Sequence, residues 1–203
     1  MPTSQNLFLK KPYKLFNPQL DELYQQINNC HKCNISNDLV NITDLDKGYG
    51  KLPIHEGRLP VLIVGINPSI HRTKICMEKG AFYGKTTGDL LTQLLKKAGF
   101  NKDDFWITNL VKCSTPNNRN LSEEEIKNCC KYLFRELEII DPKLIICLGT
   151  EVKNFFGGRF YTFTDWILRK VFSLPHPAQL KYNPSFKSEY INQLKRIKEY
   201  ING

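Results

Sequence analysis

The chain has 203 residues, of which 41% are hydrophobic, 24% charged and 11% aromatic, proportions that fit one domain with a single core and exclude a disordered chain. Lysine and arginine outnumber aspartate and glutamate by 29 to 20, a formal charge of +9, which favours a polyanion such as nucleic acid as partner without identifying one. The opening residues lack the continuous apolar run of a secretion signal and no later segment approaches the roughly twenty apolar residues of a membrane span, so the expectation is a cytoplasmic, nucleoid-associated protein with no membrane partner. In a reducing compartment its seven cysteines are expected to be metal ligands or core residues, not disulfides.

In chain order, the pattern predicts a helix from Pro18 to about Asn29, closed by Cys30-His31-Lys32-Cys33. Four short runs rich in branched apolar residues follow, Val61 to Ile66, Phe105 to Val111, Lys143 to Leu148 and Val171 to Leu174. Each has the length of a strand buried on both faces, as in a parallel sheet. Between the first two, Leu90, Leu91, Leu94, Leu95 and Ala98 share one helical face that stops at Gly99, a natural C-terminal cap. Ser122 with Glu125 three residues on forms a capping box that opens a helix to about Ile140. A last helix, Ser185 to Ile201, is expected to bury Tyr190, Ile191, Leu194 and Ile197. The expected fold is α/β, a three-layer α/β/α sandwich on a central, mainly parallel four-stranded sheet, with residues 1–203 as a single domain.

In such sheets ligands bind beyond the carboxyl ends of the strands. Four polar sequences fall there: Gly65-Ile66-Asn67-Pro68-Ser69, Thr108-Asn109, Gly149-Thr150 and Pro175-His176-Pro177-Ala178-Gln179. The two residues between Cys30 and Cys33 let both sulfurs turn toward one metal centre. Cys113, past the second strand, and Cys129, in the helix after it, are the natural partners, with Cys130 as competitor for the last place; neighbouring helical residues point about 100° apart, so only one of the two can face a shared centre. Cys147 sits in the buried run Leu144 to Leu148 and reads as core. Cys76 has no assignable partner. Zinc and an iron–sulfur cluster both suit four cysteines.

The stretch from Thr108 to Arg119, Thr108-Asn109-Leu110-Val111-Lys112-Cys113-Ser114-Thr115-Pro116-Asn117-Asn118-Arg119, followed by Glu123, Glu124 and Cys129, closely resembles the iron–sulfur uracil-DNA glycosylases, families four and five. Cys30 and Cys33, Pro68-Ser69-Ile70-His71, Phe82-Tyr83-Gly84-Lys85-Thr86-Thr87-Gly88-Asp89 and His176-Pro177-Ala178-Gln179 join it in family order, so that the resemblance spans roughly residues 20 to 200. Tyr49-Gly50-Lys51 to Gly57 and the Gly84 to Asp89 spacing look more like family five. The first motif departs from both families, which have Glu-Ala or Leu-Ala where this chain has Ile66-Asn67; Gly-Ile-Asn-Pro instead resembles the mismatch-specific uracil and thymine glycosylases, whose asparagine holds the attacking water.

The resemblance implies a DNA repair enzyme that flips uracil out of DNA and hydrolyses its N-glycosidic bond, leaving an abasic site. It also implies a [4Fe-4S] cluster on Cys30, Cys33, Cys113 and Cys129, with a structural role. By match to the motifs, Asn67 and His176 are catalytic, the first orienting a water and the second donating to the uracil O2. Gly65, Ile66, Phe82 and Asn109 bind the base, Phe82 by stacking and Asn109 through an amide that both donates and accepts; Tyr83 and Ile66 limit the pocket. His71, Arg72, Lys74, Lys85, Lys112 and Arg119 are candidates to grip phosphates, and Gln179, Leu180 and Tyr182 form a candidate wedge into the duplex. The expected partner is uracil-containing DNA, bound by a monomer. The rival readings are a non-catalytic iron–sulfur nucleic-acid-binding protein on the same fold and a zinc-bound structural protein. Activity on thymine, hypoxanthine or xanthine is not legible in the sequence.

Overall fold

A computed structural model of the chain describes residues 17–33, 35, 54–69, 82–83, 87–159 and 169–203. Four parallel strands, β1 (Val61–Gly65), β2 (Trp106–Asn109), β3 (Leu144–Leu148) and β4 (Lys170–Leu174), form one sheet in the order β2-β1-β3-β4. Helices cover both faces, because β1 and β3 are buried throughout and such strands must be shielded on both sides. Val61, Ile63, Leu144 and Ile146 face α2 (Thr87–Lys97) and α6 (Lys187–Asn202), whereas Leu62, Val64, Ile145 and Cys147 face α1 (Pro18–Asn28) and α3 (Glu123–Ile140). This is the α/β/α sandwich expected from the sequence.

Local chemistry fixes the helix ends. Asn17 accepts from the Gln19 N–H at 3.1 Å and Pro18 follows it, a combination that satisfies an orphan donor and presets the first turn. Ser122 and Glu125 form the anticipated reciprocal capping box of α3. Gly99 ends the turn after α2 at φ +81°, a conformation that glycine adopts without steric cost.

Three expectations require correction. The fourth strand is not buried on both faces: β4 is an edge strand, and only Leu174 of its five residues is fully buried. Ile191 is half-buried, and Ile201 completes the buried face of α6 in its place. Two short helices, α4 (Thr150–Asn154) and α5 (Gln179–Tyr182), occupy segments read as connections. No described helix is long and apolar enough to cross a membrane.

Candidate functional site

The strand order decides where a ligand can sit. The chain leaves β1 toward β2 on one side and leaves β3 toward β4 on the other, so a crevice opens at the carboxyl ends between them. All four polar sequences end there. Gly65 and Asn109 are in register on neighbouring strands. A Cβ on Gly65 would lie 2.5 Å from Asn109 Oδ1 and 2.9 Å from Phe82 Cε2, so the absence of a side chain at Gly65 lets the amide and the ring approach the same backbone.

Phe82 has φ +60°, a left-handed conformation that is costly for a bulky residue and collects at functional sites. Its carbonyl accepts from the Lys102 ammonium, which also lies over the Tyr83 ring. Tyr83 is held by its hydroxyl on Asp103 at 3.1 Å and by an edge contact with His55. A Cβ on Gly88 would strike the Phe82 carbonyl. The ring is thereby fixed with its centroid 5.9 Å from that of His176.

His176 follows β4 and lies beside Gly149, the residue after β3. Its Nδ1 accepts the backbone N–H of Ala178 at 3.3 Å, so the neutral ring carries its proton on Nε2. Burial holds the imidazole pKa below its ordinary value, with Glu151 opposing the shift and Lys181 assisting it. Near neutral pH the ring is therefore an uncharged donor through Nε2.

Asn67 stands two residues beyond Gly65. Its Nδ2 donates to Thr115 Oγ1 at 3.4 Å, and that hydroxyl donates to the Arg119 carbonyl at 2.7 Å. Because the Thr115 proton is already placed, Thr115 can only accept from Asn67, which assigns the amide and leaves Oδ1 as its accepting atom. Phe82, Asn109 and His176 thus gather around the end of β1, and Asn67 follows that strand two residues beyond Gly65, bonded to Thr115.

On the face of the sheet covered by α1 and α3, Cys30, Cys33, Cys113 and Cys129 line one cavity with Ile35, Val111 and Asn128. Cys130 does not; its thiol donates to the Lys127 carbonyl at 3.3 Å. Burial pushes the Cys129 thiol up to about 12 against the nearby Lys112, and the thiols of Cys113 and Cys33 add to the rise. Four thiols on one cavity are the donor set of either zinc or an iron–sulfur cluster. Cys147 is core, as expected, with no exposed surface and a thiol that burial alone drives to about 12.

Comparisons with known proteins identify the family. The sequence model described as Uracil DNA glycosylase superfamily matches residues 54–195. The chain belongs to the uracil-DNA glycosylase superfamily. The type-4 uracil-DNA glycosylase of Archaeoglobus fulgidus is 31% identical over 195 residues, covering 89% of this chain and 92% of that protein. The type-4 enzyme of Sulfurisphaera tokodaii is 32% identical over 89% of this chain and 84% of its own. A type-5 uracil-DNA glycosylase from Pyrobaculum aerophilum is 33% identical but covers 44% of each chain. The type-4 relatives thus cover most of this chain and the type-5 relative less than half of it. SMUG2 of Pedobacter heparinus shares the fold at a TM-score of 0.50 and 14% identity, covering 91% of this chain and 99% of its own.

Several residues do not stand where the superfamily motifs led us to expect. Lys112, a candidate phosphate contact, is 3% exposed and paired with Glu136. Leu180, a candidate wedge, is 2% exposed and packs into the core with Tyr190 and Leu194, because α5 turns it inward; Tyr182 on the same short helix is 90% exposed. Arg119 grips Glu125 with its two terminal guanidinium nitrogens, at 3.0 and 2.5 Å. Gln179 is exposed. His71, Arg72, Lys74, Lys85 and Cys76 lie outside the described residues. Sequence reasoning missed Thr115, Lys102 and Glu136 as supports of the site. Thr115 and Lys102 carry no spacing signal, and Glu136, four residues after Tyr132 on α3, had only its position on an otherwise apolar face to mark it.

Proposed function

We propose that the protein is a monofunctional glycosylase that removes uracil from DNA, and that Asn67, Phe82, Asn109 and His176 form its active site. The observation that supports this reading is that Asn109, Phe82 and His176 gather at the carboxyl ends of the strands, with Asn67 two residues beyond Gly65 on the segment that leaves β1. All four come from one chain, so a monomer completes the site.

A base in a duplex is shielded by stacking, and turning it out costs a few kcal/mol. Stacking on Phe82 and contacts to phosphate offset that cost. Of the wedge candidates, Tyr182 is the one whose ring is presented to solvent, and it takes that role in place of Leu180. Gln179 beside it and Arg119 at the rim complete the DNA contacts we assign here, together with His71, Arg72 and Lys85.

With the base in place, the Asn109 amide meets the uracil O4 and N3–H edge, where its acceptor and donor both find partners. The amino group of cytosine would leave one of them mismatched. As the glycosidic bond lengthens, negative charge grows on the departing ring and the His176 Nε2–H donates to O2. Positive charge grows on the sugar, and the Asn67 Oδ1 holds a water below it; an amide has too little proton affinity to act as a base, so the water attacks an already dissociating sugar. Ile66 and Tyr83 close the pocket, and whether other deaminated bases enter depends on that closure.

Cys30, Cys33, Cys113 and Cys129 would hold a [4Fe-4S] cluster, which supplies a covalent tie between the segment after α1, the loop after β2 and α3. The test of the function is an abasic-site assay: uracil-containing oligonucleotides incubated with the protein and treated with alkali should break at the uracil. No scission from U:G, U:A or single strands would defeat the proposal.

A further inference from the structure

The most deeply buried charges among the described residues belong to Lys112 and Glu136, and the chemistry assigned to the base pocket does not use them. Their side chains are 3% and 4% exposed, and Nζ lies 2.6 Å from Glu136 Oε2. The same ammonium donates to Thr108 Oγ1 at 2.8 Å and to the Asn109 carbonyl at 2.7 Å. Glu136 Oε1 in turn accepts from Thr108 Oγ1 at 3.1 Å. Three protons meet three acceptors, the complete donor capacity of an ammonium group. Burial pushes the Glu136 carboxyl up, and the Lys112 ammonium and Thr108 hydroxyl oppose that shift.

A buried ion pair is a poor way to gain stability, since apolar residues of similar volume often serve as well or better. What this pair does supply is geometry. Two of its three anchors, Thr108 and Asn109, are the last two residues of β2, and Asn109 is the residue whose amide lies against Gly65. β2 is the edge strand of the sheet; on its outer flank His55 pairs with Ile107 through two backbone hydrogen bonds of 2.9 Å, and among the described residues no strand continues that pairing to Thr108 and Asn109. The backbone N–H of Lys112 donates to Cys129 Sγ at 3.3 Å, which places the same residue on the wall of the cysteine cavity.

We propose that the Lys112–Glu136 pair is a positioning device for base recognition: it clamps the end of β2 so that the Asn109 amide keeps its place, and it ties that place to the cysteine cavity through Cys129. Lys112 and Glu136 are positioning residues, since neither reaches the base. The inference rests on the glycosylase reading, with Asn109 as the residue that meets the base.

The test is a double-mutant cycle on the full chain. Lys112→Met alone leaves a buried carboxylate unpaired and is expected to lower Tm, so the working variant is Lys112→Met/Glu136→Leu, which removes both charges and restores Tm toward wild type. In that variant kcat/KM for a uracil-containing single strand should fall about tenfold or more, with iron content unchanged, and preference for uracil over cytosine should narrow. In an Asn109→Ala background the same pair of changes should cost less than about twofold, because the residue they position is gone.

A double variant within about twofold of wild type in both kcat/KM and base preference overturns the proposal, as does an equal loss in both backgrounds, which would mark a general structural role. A double variant that stays unfolded where Lys112→Met/Glu136→Gln folds moves the cycle to the latter, with the same criteria. A wild-type protein that cuts no uracil-containing strand defeats the glycosylase reading itself, an outcome separate from these.

Discussion

Asn109 Oδ1 lies 2.5 Å from the point that a Cβ on Gly65 would occupy. The atoms in the way, that oxygen and Phe82 Cε2 and Cζ at 2.9 and 3.0 Å, are the ends of side chains and not backbone. Gly65→Ala should therefore fold, while displacing the amide and the ring assigned to the base. The expected outcome is a Tm within a few degrees of wild type and a loss of kcat/KM of about a hundredfold, the scale of a misplacement of about 1 Å in an active site. Retention of wild-type kcat/KM in a folded Gly65→Ala protein would remove these residues from base binding.

The Thr115 hydroxyl gives Asn67 its orientation, because its own proton is committed to the Arg119 carbonyl. Thr115→Val keeps the volume and removes the acceptor, so the Asn67 amide loses the contact that tells its nitrogen from its oxygen. We expect kcat to fall about three- to tenfold with little change in KM, since the water is engaged in the transition state and not in base binding. Asn67→Ala should cost considerably more. A Thr115→Val variant whose kcat equals that of wild type would mean that the amide is set by something else.

His176 makes a prediction about pH. The folded protein holds its pKa below the ordinary imidazole value through burial, so the unfolded chain takes up the proton first as pH falls. Stability contributed by the neutral buried ring is fully present above about pH 6.5 and is lost as pH drops through the lower folded pKa. Plots of Tm against pH should therefore decline more on the acid side for wild type than for His176→Phe. The activity should hold its plateau through neutrality, since the Nε2–H of the neutral ring is the assigned donor. His176→Gln, which retains an N–H, should keep more activity than His176→Ala. An alkaline decline near neutral pH that disappears in His176→Gln would show that the charged ring is the working form.

Much of this was legible in the residues. The branched runs at Val61, Phe105 and Lys143 announced a parallel sheet because strands buried on both faces have no polar alternation, and the Ser122–Glu125 box marked the start of α3 to the residue. The motifs at Gly65, Asn109 and His176 fall at strand ends, which in such a sheet are forced to one rim. Burial of individual side chains was not legible. Lys112 is a charged residue within a motif that also carries Arg119, and only the turn of the chain after β2 decides that its ammonium faces Glu136 and not solvent. Leu180 is similar: a four-residue helix has no periodicity from which to infer its inner face. The supports of Phe82 escaped for another reason, because a left-handed φ and a carbonyl held by Lys102 leave no trace in spacing.

The cysteines separate by what each thiol faces. Cys30, Cys33, Cys113 and Cys129 line the cavity, and Cys130 bonds the Lys127 carbonyl one turn back. Single changes to serine at the four cavity positions should each reduce iron and acid-labile sulfide and bleach the brown colour expected of the purified protein. Cys130→Ser should leave all three intact, because a serine hydroxyl can make the same bond. Loss of the cluster in Cys130→Ser together with its retention in Cys129→Ser would reverse the assignment on α3. A colourless, zinc-loaded wild type would replace the cluster altogether.

Leu180 and Tyr182 share one short helix and should behave in opposite ways. Leu180 is packed among Tyr190, Leu194 and the strand ends, so Leu180→Ala should cost about 2–5 kcal/mol of stability, as deletion of buried leucine side chains does. Tyr182→Ala should leave Tm nearly unchanged, since its ring is almost wholly in solvent. If that ring fills the gap left by the flipped base, its loss matters only where there is a stack to fill. Excision from a duplex should then slow about tenfold while excision from a single strand changes little, the difference being the unstacking of a few kcal/mol that a wedge helps to offset. Single-turnover rates on matched single- and double-stranded uracil oligonucleotides measure this directly. Equal slowing on both substrates would assign Tyr182 to strand binding in general, and no slowing on either would leave the wedge to residues outside α5.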